Sequence, residues 1–374
     1  MPRILQPDRK LFGATLALCL IGAVMVFSAS AVVTRELGGS GYSFFLRQMV
    51  CMVLGIGGMF ALMNFDYRKL RQPRVIFIGL GVVLLLLIGV LFLDRSHATH
   101  RWVRFGPASI QPSEFAKLAA ILYLAWFLEL RKPWRSRSQS FDINEPLHSL
   151  LPALAPVLVM AGLILLEPDM GTACMLLLIA LTMLFVSGLS LRYVGGGILA
   201  ALPVFYLLIV RVPYRYHRLT AFRHPEADSQ GYGFQLLQSL IAVGSGGFTG
   251  VGLMESKQKL FYLPEPSTDF IYAVLAEELG FIGAVAVLAL FAFWGWRAFR
   301  AAIQAPDDFG RYLGLGITTM VVGQALINLS VVLGLMPTKG IPLPFISYGG
   351  SSLLVMLLAT GVLLNISQHA QPEE

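Results

Sequence analysis

Charge is what this 374-residue sequence has little of. Only 13% of its residues are Asp, Glu, Lys or Arg, where a soluble domain carries about 25%. So little charge excludes an ordinary water-soluble globule. Cysteine is equally scarce: Cys19, Cys51 and Cys174 all sit inside apolar runs, without ligand spacing or an even count for a disulfide framework. They read as small buried hydrophobes. His217 and His224 have no Cys or spaced His beside them, which argues against zinc. Internal repeats, low-complexity tracts and a separate soluble domain are also missing, so residues 1–374 read as one integral domain.

What fills the chain is hydrocarbon. Hydrophobic residues make up 56% and the mean hydropathy is +0.71. Apolar windows of about 20 residues, enough to cross a bilayer, recur along its length, and the alternation of a β-barrel is lacking. The reading is an all-α polytopic membrane protein with about ten transmembrane helices. The expected spans are Leu11–Val33, Phe45–Met63, Val75–Leu93, Ser113–Leu130, Leu150–Leu166, Met170–Val186, Tyr193–Val210, Asp269–Trp296, Leu313–Leu335 and Ile346–Ile366. Basic residues before the first span mimic a signal peptide, but the run is too long and more spans follow, so an uncleaved first helix is expected.

The net charge of +7 is a topology signal rather than a sign of nucleic acid. Basic clusters at Arg68–Arg74, Arg131–Arg137 and Arg297–Arg311 mark cytoplasmic segments. Both termini are then cytoplasmic. The long loop 211–268 before the eighth helix faces outward, as do the polar motifs. A loop of that length is usually functional. Within it, Phe234–Val243 has helical spacing and predicts a short helix lying against the membrane face.

The polar stretch Gly244–Gly280 holds the leading candidate. Pro264-Glu265-Pro266 precedes Ser267-Thr268-Asp269 and a long apolar run, which reads as a helix N-terminus at the outer membrane edge. Asp269 is the catalytic candidate, although a first-turn acid stabilised by the helix dipole is the plainer alternative. That dipole lowers a carboxylate pKa and weakens a base; like-charge repulsion from Glu265 could offset it. Glu114 and Lys117, three apart on the fourth helix, share a face and can pair. Glu277 and Glu278, two turns into the eighth, are expensive at that depth and read as an ion pair or as catalytic, with Lys117 a candidate partner. Arg101, Arg104, Arg211, Arg215, Arg218, Arg223, Lys257, Lys259 and Lys339 form an outward cationic set that invites an anion such as a phosphate. Ser347 and Ser351, in the small-residue opening of the last helix, fit either an anion site or close packing.

Four segments together resemble the SEDS (shape, elongation, division and sporulation) family, the FtsW, RodA and SpoVE group. They are Ile110-Gln111-Pro112-Ser113-Glu114, Glu167-Pro168-Asp169-Met170-Gly171-Thr172, Gly244–Gly280 and Pro337–Ser352. Within the family, Tyr262-Leu263-Pro264-Glu265-Pro266 and Pro337-Thr338-Lys339-Gly340 look like the FtsW/SpoVE branch, most like FtsW. The resemblance implies a peptidoglycan glycosyltransferase, inverting, that polymerises lipid II at the outer face of the bacterial cytoplasmic membrane, with polyprenyl diphosphate leaving. It implies work at the division septum with a class B penicillin-binding protein, other division-complex membrane proteins and membrane lipids.

On that basis Asp269 matches the family's essential aspartate, and Glu114 and Lys117 its fourth-helix acid and base. Arg101, Arg215, Lys257, Glu265, Lys339, Ser347 and Ser351 join them as expected substrate contacts. Glu167, where many relatives carry Gln, departs from the pattern. No metal ligands are assigned, though a divalent cation (Mg or Mn) is compatible with a diphosphate. The rival readings are a lipid II flippase or transporter, which needs a polar route through the bilayer, and a non-catalytic scaffold for the transpeptidase.

Overall fold

The computed structural model describes residues 6–36, 42–93, 101–105, 108–130, 143–228, 230–231, 233–260 and 262–370. Among these are twelve α-helices: α1 (Arg9–Glu36), α2 (Ser43–Met63), α3 (Pro73–Leu93), α4 (Pro112–Leu130), α5 (Leu151–Leu166), α6 (Met170–Val186), α7 (Leu191–Val210), α8 (Pro213–Arg223), α9 (Phe234–Ser245), α10 (Ile271–Ile303), α11 (Asp308–Val332) and α12 (Gly350–Gln368). The basic cluster at Arg131–Arg137 lies outside the described residues, as does the side chain of Arg104.

Seven helices are both long and apolar enough to cross a membrane: α1, α2, α3, α5 with its preceding π-turn, α10, α11 and α12. With α4, α6 and α7 they give the ten-span architecture expected from the sequence. α4 holds the centre, packed on α3, α5, α6 and α11. Its charges are tolerated there because protein, not lipid, surrounds them. Small residues let backbones approach: a Cβ on Gly361 of α12 would lie 2.6 Å from the Met59 carbonyl of α2. Large apolar side chains that stay exposed, such as Leu20, Val53, Leu85 and Leu199, are what a lipid-facing surface requires.

The loop before α10 departs from expectation. It carries two helices, not one: α8 is basic and polar, and α9 extends to Ser245. α9 packs on the outer ends of α10 and α11 with Leu236 and Ala242 buried, and its Ser239 hydroxyl donates to the Val332 carbonyl at 2.8 Å. The expected outer loop between α3 and α4 contains a small antiparallel hairpin, β1 (Val103–Phe105) against β2 (Ala108–Ile110).

The eighth span differs too. α10 breaks at Gly280, whose φ of 68° suits glycine. The break leaves backbone groups without helical partners, and the glycine-rich segment 247–252 supplies them. Val251 and Gly252 N–H groups donate to the Glu277 and Glu278 carbonyls at 3.0 and 3.1 Å, while Phe281 N–H donates to Gly247 at 2.8 Å. A Cβ on Gly250 would lie 2.1 Å from the Glu278 carbonyl oxygen. This close approach accounts for the glycine cluster. It also pins the outer loop to the half-helix that starts two residues after Asp269.

Candidate active site

Asp269 lies in the turn before α10; the helix N-cap is Phe270, with no side-chain cap bond. Its position is fixed through the backbone. Asn328 Nδ2 on α11 donates to the carbonyls of Asp269 and Ile341, both at 2.8 Å. Ser347 Oγ donates to the Thr268 carbonyl at 2.6 Å, and Tyr348 N–H to that of Ser267 at 2.8 Å. Gly340 touches the carboxylate itself: a Cβ there would lie 3.0 Å from Asp269 Oδ2. Glu265 takes a φ of 52°, a left-handed backbone uncommon outside glycine, and so turns the Pro-Glu-Pro segment toward Asp269.

These elements enclose a cleft of about 380 Å³ at the outer end of the bundle. Four cations line it, Arg101, Arg215, Arg218 and Lys339, against three acids, Asp169, Glu265 and Asp269. Arg101 is aimed by carbonyls, its Nε donating to Glu167 O at 3.0 Å and its Nη2 to Pro168 O. Arg218 lies 4.4 Å over the Tyr214 ring and donates to the Thr338 carbonyl at 3.3 Å. Lys339, half-buried, makes no ion pair among the described residues. A cleft with this excess of positive charge favours an anionic ligand.

Burial raises the Asp269 carboxyl from 3.8 to about 7, with Glu265 adding to it and Arg218 opposing. The weakening expected from a helix N-terminus is therefore reversed, because desolvation dominates and the residue stands outside the first turn. Near neutral pH such a group both accepts and releases protons. Glu167 is also perturbed: burial and then Asp169 raise it to about 8, with Arg101 opposing. Neither of its buried carboxyl oxygens has a hydrogen-bond partner, a setting that favours the neutral acid.

The remaining expected residues lie elsewhere. Glu114 and Lys117 pair with each other at 2.9 Å, almost fully buried. Lys117 Nζ also donates to Gln324 Oε1 at 2.7 Å, and Gln324 Nε2 to the Pro342 carbonyl at 2.9 Å. The pair thus props the segment carrying Lys339 and Gly340 from below. Lys117 does not partner Glu277 or Glu278, contrary to the expectation. Glu278 instead takes Lys259 Nζ at 2.8 Å and Ser28 Oγ at 2.6 Å. Glu277 accepts the Ser256 hydroxyl and the Lys257 N–H at 3.0 Å. Lys257 is exposed and enters only through its backbone. Ser347 is occupied by the Thr268 carbonyl and the Leu343 N–H. Ser351 lines a different groove, between α2, β2 and α12.

Asp169 is a cleft residue that the Glu167-Pro168-Asp169 turn does not by itself single out. Asp169 caps α6 by accepting Thr172 N–H at 3.0 Å, holds Gln111 at 3.1 Å and faces the cleft. Gln324 and Asn328 were also missed. Their spacing of four puts both on one face of α11, the only advance signal.

The family model described as "Cell cycle protein", FtsW/RodA/SpoVE, matches residues 9–372. A probable peptidoglycan glycosyltransferase FtsW of Trichlorobacter lovleyi is 41% identical over 366 residues, covering 98% of this chain and 94% of its own. Stage V sporulation protein E of Bacillus subtilis is 42% identical over 369 residues, 98% of each chain. Among solved structures, a chain of a peptidoglycan synthase complex superposes with a TM-score of 0.76 at 33% identity, covering 96% of this chain and 97% of its own. The Thermus thermophilus rod shape determining protein RodA gives 0.70 at 30%, covering 99% and 100%. With nearly every residue inside the match and the helices superposing along the whole chain, this protein belongs to the FtsW/RodA/SpoVE family of cell cycle proteins.

Proposed function

We propose that the protein is a peptidoglycan glycosyltransferase that polymerises lipid II at the outer face of the cytoplasmic membrane. The observation that carries this is a carboxyl with a pKa of about 7 in a cleft lined by four cations. Asp269 takes the proton from the acceptor sugar 4-hydroxyl. The freed oxygen attacks the donor anomeric carbon, the bond to the diphosphate breaks, and the configuration inverts. The leaving polyprenyl diphosphate carries the displaced electron pair, and Arg101, Arg215, Arg218 and Lys339 stabilise its charge. Asp169 and the backbone of Gly340 fix the cleft wall; Glu265 raises the basicity of Asp269.

A divalent cation does not fit the protein alone. Among the described residues no three His, Cys, Asp or Glu side chains gather closely enough to hold one. An ion would need substrate oxygens as ligands.

The fuller setting belongs to the same proposal: both termini in the cytoplasm, action at the division septum, and assembly with a class B penicillin-binding protein and other division-complex membrane proteins. The kinship with FtsW relatives and with a chain of a peptidoglycan synthase complex supports it. The test is purified full-length protein, with and without its cognate transpeptidase, incubated with lipid II and scored for glycan length. Asp269→Asn should insert normally and lose polymerisation by about 10²–10⁴-fold. Undiminished chain formation by that variant would overturn the assignment.

A further inference from the structure

The groove that Ser351 lines is a second built cavity, about 440 Å³, on the other side of the segment that carries Ser347 and Tyr348. It is graded. Its outer end holds Arg47, Tyr348 and Ser351 with Leu46 beside them, and below run Val50 and Leu54 of α2 with Phe115 of α4. Leu46, Val50 and Leu54 are 56%, 59% and 63% exposed, so this wall opens sideways to hydrocarbon. From Leu46 to Leu54 the helix descends about 12 Å, the length of a stretch of lipid chain.

Three features at the outer end suit an anion. Arg47, one turn into α2, lines the groove together with Tyr348; a cation on a lipid-facing helix is costly unless it reaches the interface. α12 begins at Gly350 with no side-chain cap, so the first-turn N–H groups of Gly350 and Ser351 have no intrahelical partner. Independently, Ser351 Oγ is buried in the groove wall, 5% exposed, with no hydrogen-bond partner. A buried hydroxyl left unpaired costs about 1–3 kcal/mol, which a bound acceptor or donor would relieve.

One segment, residues 340–348, borders the cleft at Gly340 and the groove at Tyr348. Tyr348, whose side chain lines the groove, donates its N–H to Ser267, two residues from Asp269. Gly340, at the other end of the same segment, touches the Asp269 carboxylate. A polymerising step between lipid-linked sugars has two amphiphiles to hold, and the protein offers two separate concave sites, the cleft and this groove.

We propose that this groove is a second site for a polyprenyl-diphosphate-linked sugar, its chain along Leu46, Val50 and Leu54 and its phosphates at Arg47, Ser351 and the head of α12. The site rests on the proposed polymerase reading for its purpose, but its occupancy is measured without catalysis. The probe is a long-chain polyprenyl diphosphate bearing a benzophenone, photolysed with full-length Asp269→Asn protein in nanodiscs. Peptides spanning 46–54 should be labelled. Unlabelled polyprenyl diphosphate should compete the label away, and phosphatidylglycerol at equal concentration should not. Arg47→Ala and Ser351→Ala should each cut that labelling about tenfold, while α8 peptides at the cleft keep theirs. Val50→Trp, which fills the groove from its lipid side, should abolish it with an unchanged thermal midpoint. Labelling of 46–54 that is missing, insensitive to all three substitutions, or competed equally by phosphatidylglycerol would overturn the site. That result leaves the polymerase reading standing if wild type still makes glycan. A wild type that makes none sinks that reading whatever the labelling shows.

Discussion

The outer cleft and the buried clusters below it contain the same kinds of residue put to opposite uses. Beneath the surface, Lys117 and Lys259 are nearly fully buried and every strong donor is matched: Lys117 with Glu114 and Gln324, Lys259 with Glu278, Ser28 and the Met254 carbonyl. At the cleft, Asp269 has its backbone secured but its carboxyl facing a cavity, among cations aimed inward by carbonyl groups. Charges that meet a countercharge inside the bundle hold helices and loops in place. A carboxyl whose backbone is fixed and whose head faces the cavity is left for chemistry.

Breaking the buried side should be the most costly. Glu278→Leu leaves Lys259 unpaired in the interior, and such losses cost about 3–5 kcal/mol. The thermal midpoint in detergent should drop sharply. The double variant Glu278→Leu with Lys259→Met should recover most of it, because no lone charge remains. If the double variant is no better than the single, the cluster does more than satisfy itself.

The next largest effect concerns Glu167, a charge-bearing group that takes neither role. Its folded pKa of about 8 lies above the ordinary 4.5, so its contribution to stability is fully present below about pH 4.5 and is lost as pH rises through 8. Glu167→Gln removes that dependence. The variant should match wild type at pH 4 and be more stable by about 4 kcal/mol at pH 8.5, seen as a pH-dependent gap between the two thermal midpoints. A gap independent of pH would show that the acid is not neutral in the fold.

The smallest change touches the open side. Gly340→Ala puts a methyl 3.0 Å from Asp269 Oδ2, tight enough to displace the carboxyl by a few tenths of an ångström. Polymerisation should fall about tenfold with the thermal midpoint almost unmoved. Loss of stability instead of rate would move Gly340 to the scaffold side of the comparison.

Much of this division was legible in the residues, but not all. The spans followed from apolar windows of bilayer length, and Asp269 from the Pro-Glu-Pro-Ser-Thr-Asp run before one of them. Helix ends were less accurate. The last helix starts at Gly350 rather than Ile346 because the Ile346 and Ser347 N–H groups turn back to the Leu343 carbonyl. α8 was missed because its basic, polar sequence has no apolar stripe. The partners of Glu278 were out of reach, since Ser28 is 250 positions away and only the packing of α1 on α10 joins them. The environment of Asp269 stayed open for a similar reason. Dipole and like charge could be read from neighbours in sequence, but burial, the dominant influence, comes from α11 and the segment around Gly340.

The rate of glycan synthesis against pH, with purified full-length protein and its Glu265→Gln variant, tests the central assignment most directly. The acid limb should fall near pH 7 in wild type, because Asp269 must be ionised to take the proton. It should shift to lower pH in Glu265→Gln, because a like charge that raises the Asp269 pKa is gone. A profile flat from pH 6 to 8, or a limb that ignores Glu265, would contradict the account of Asp269 as the base.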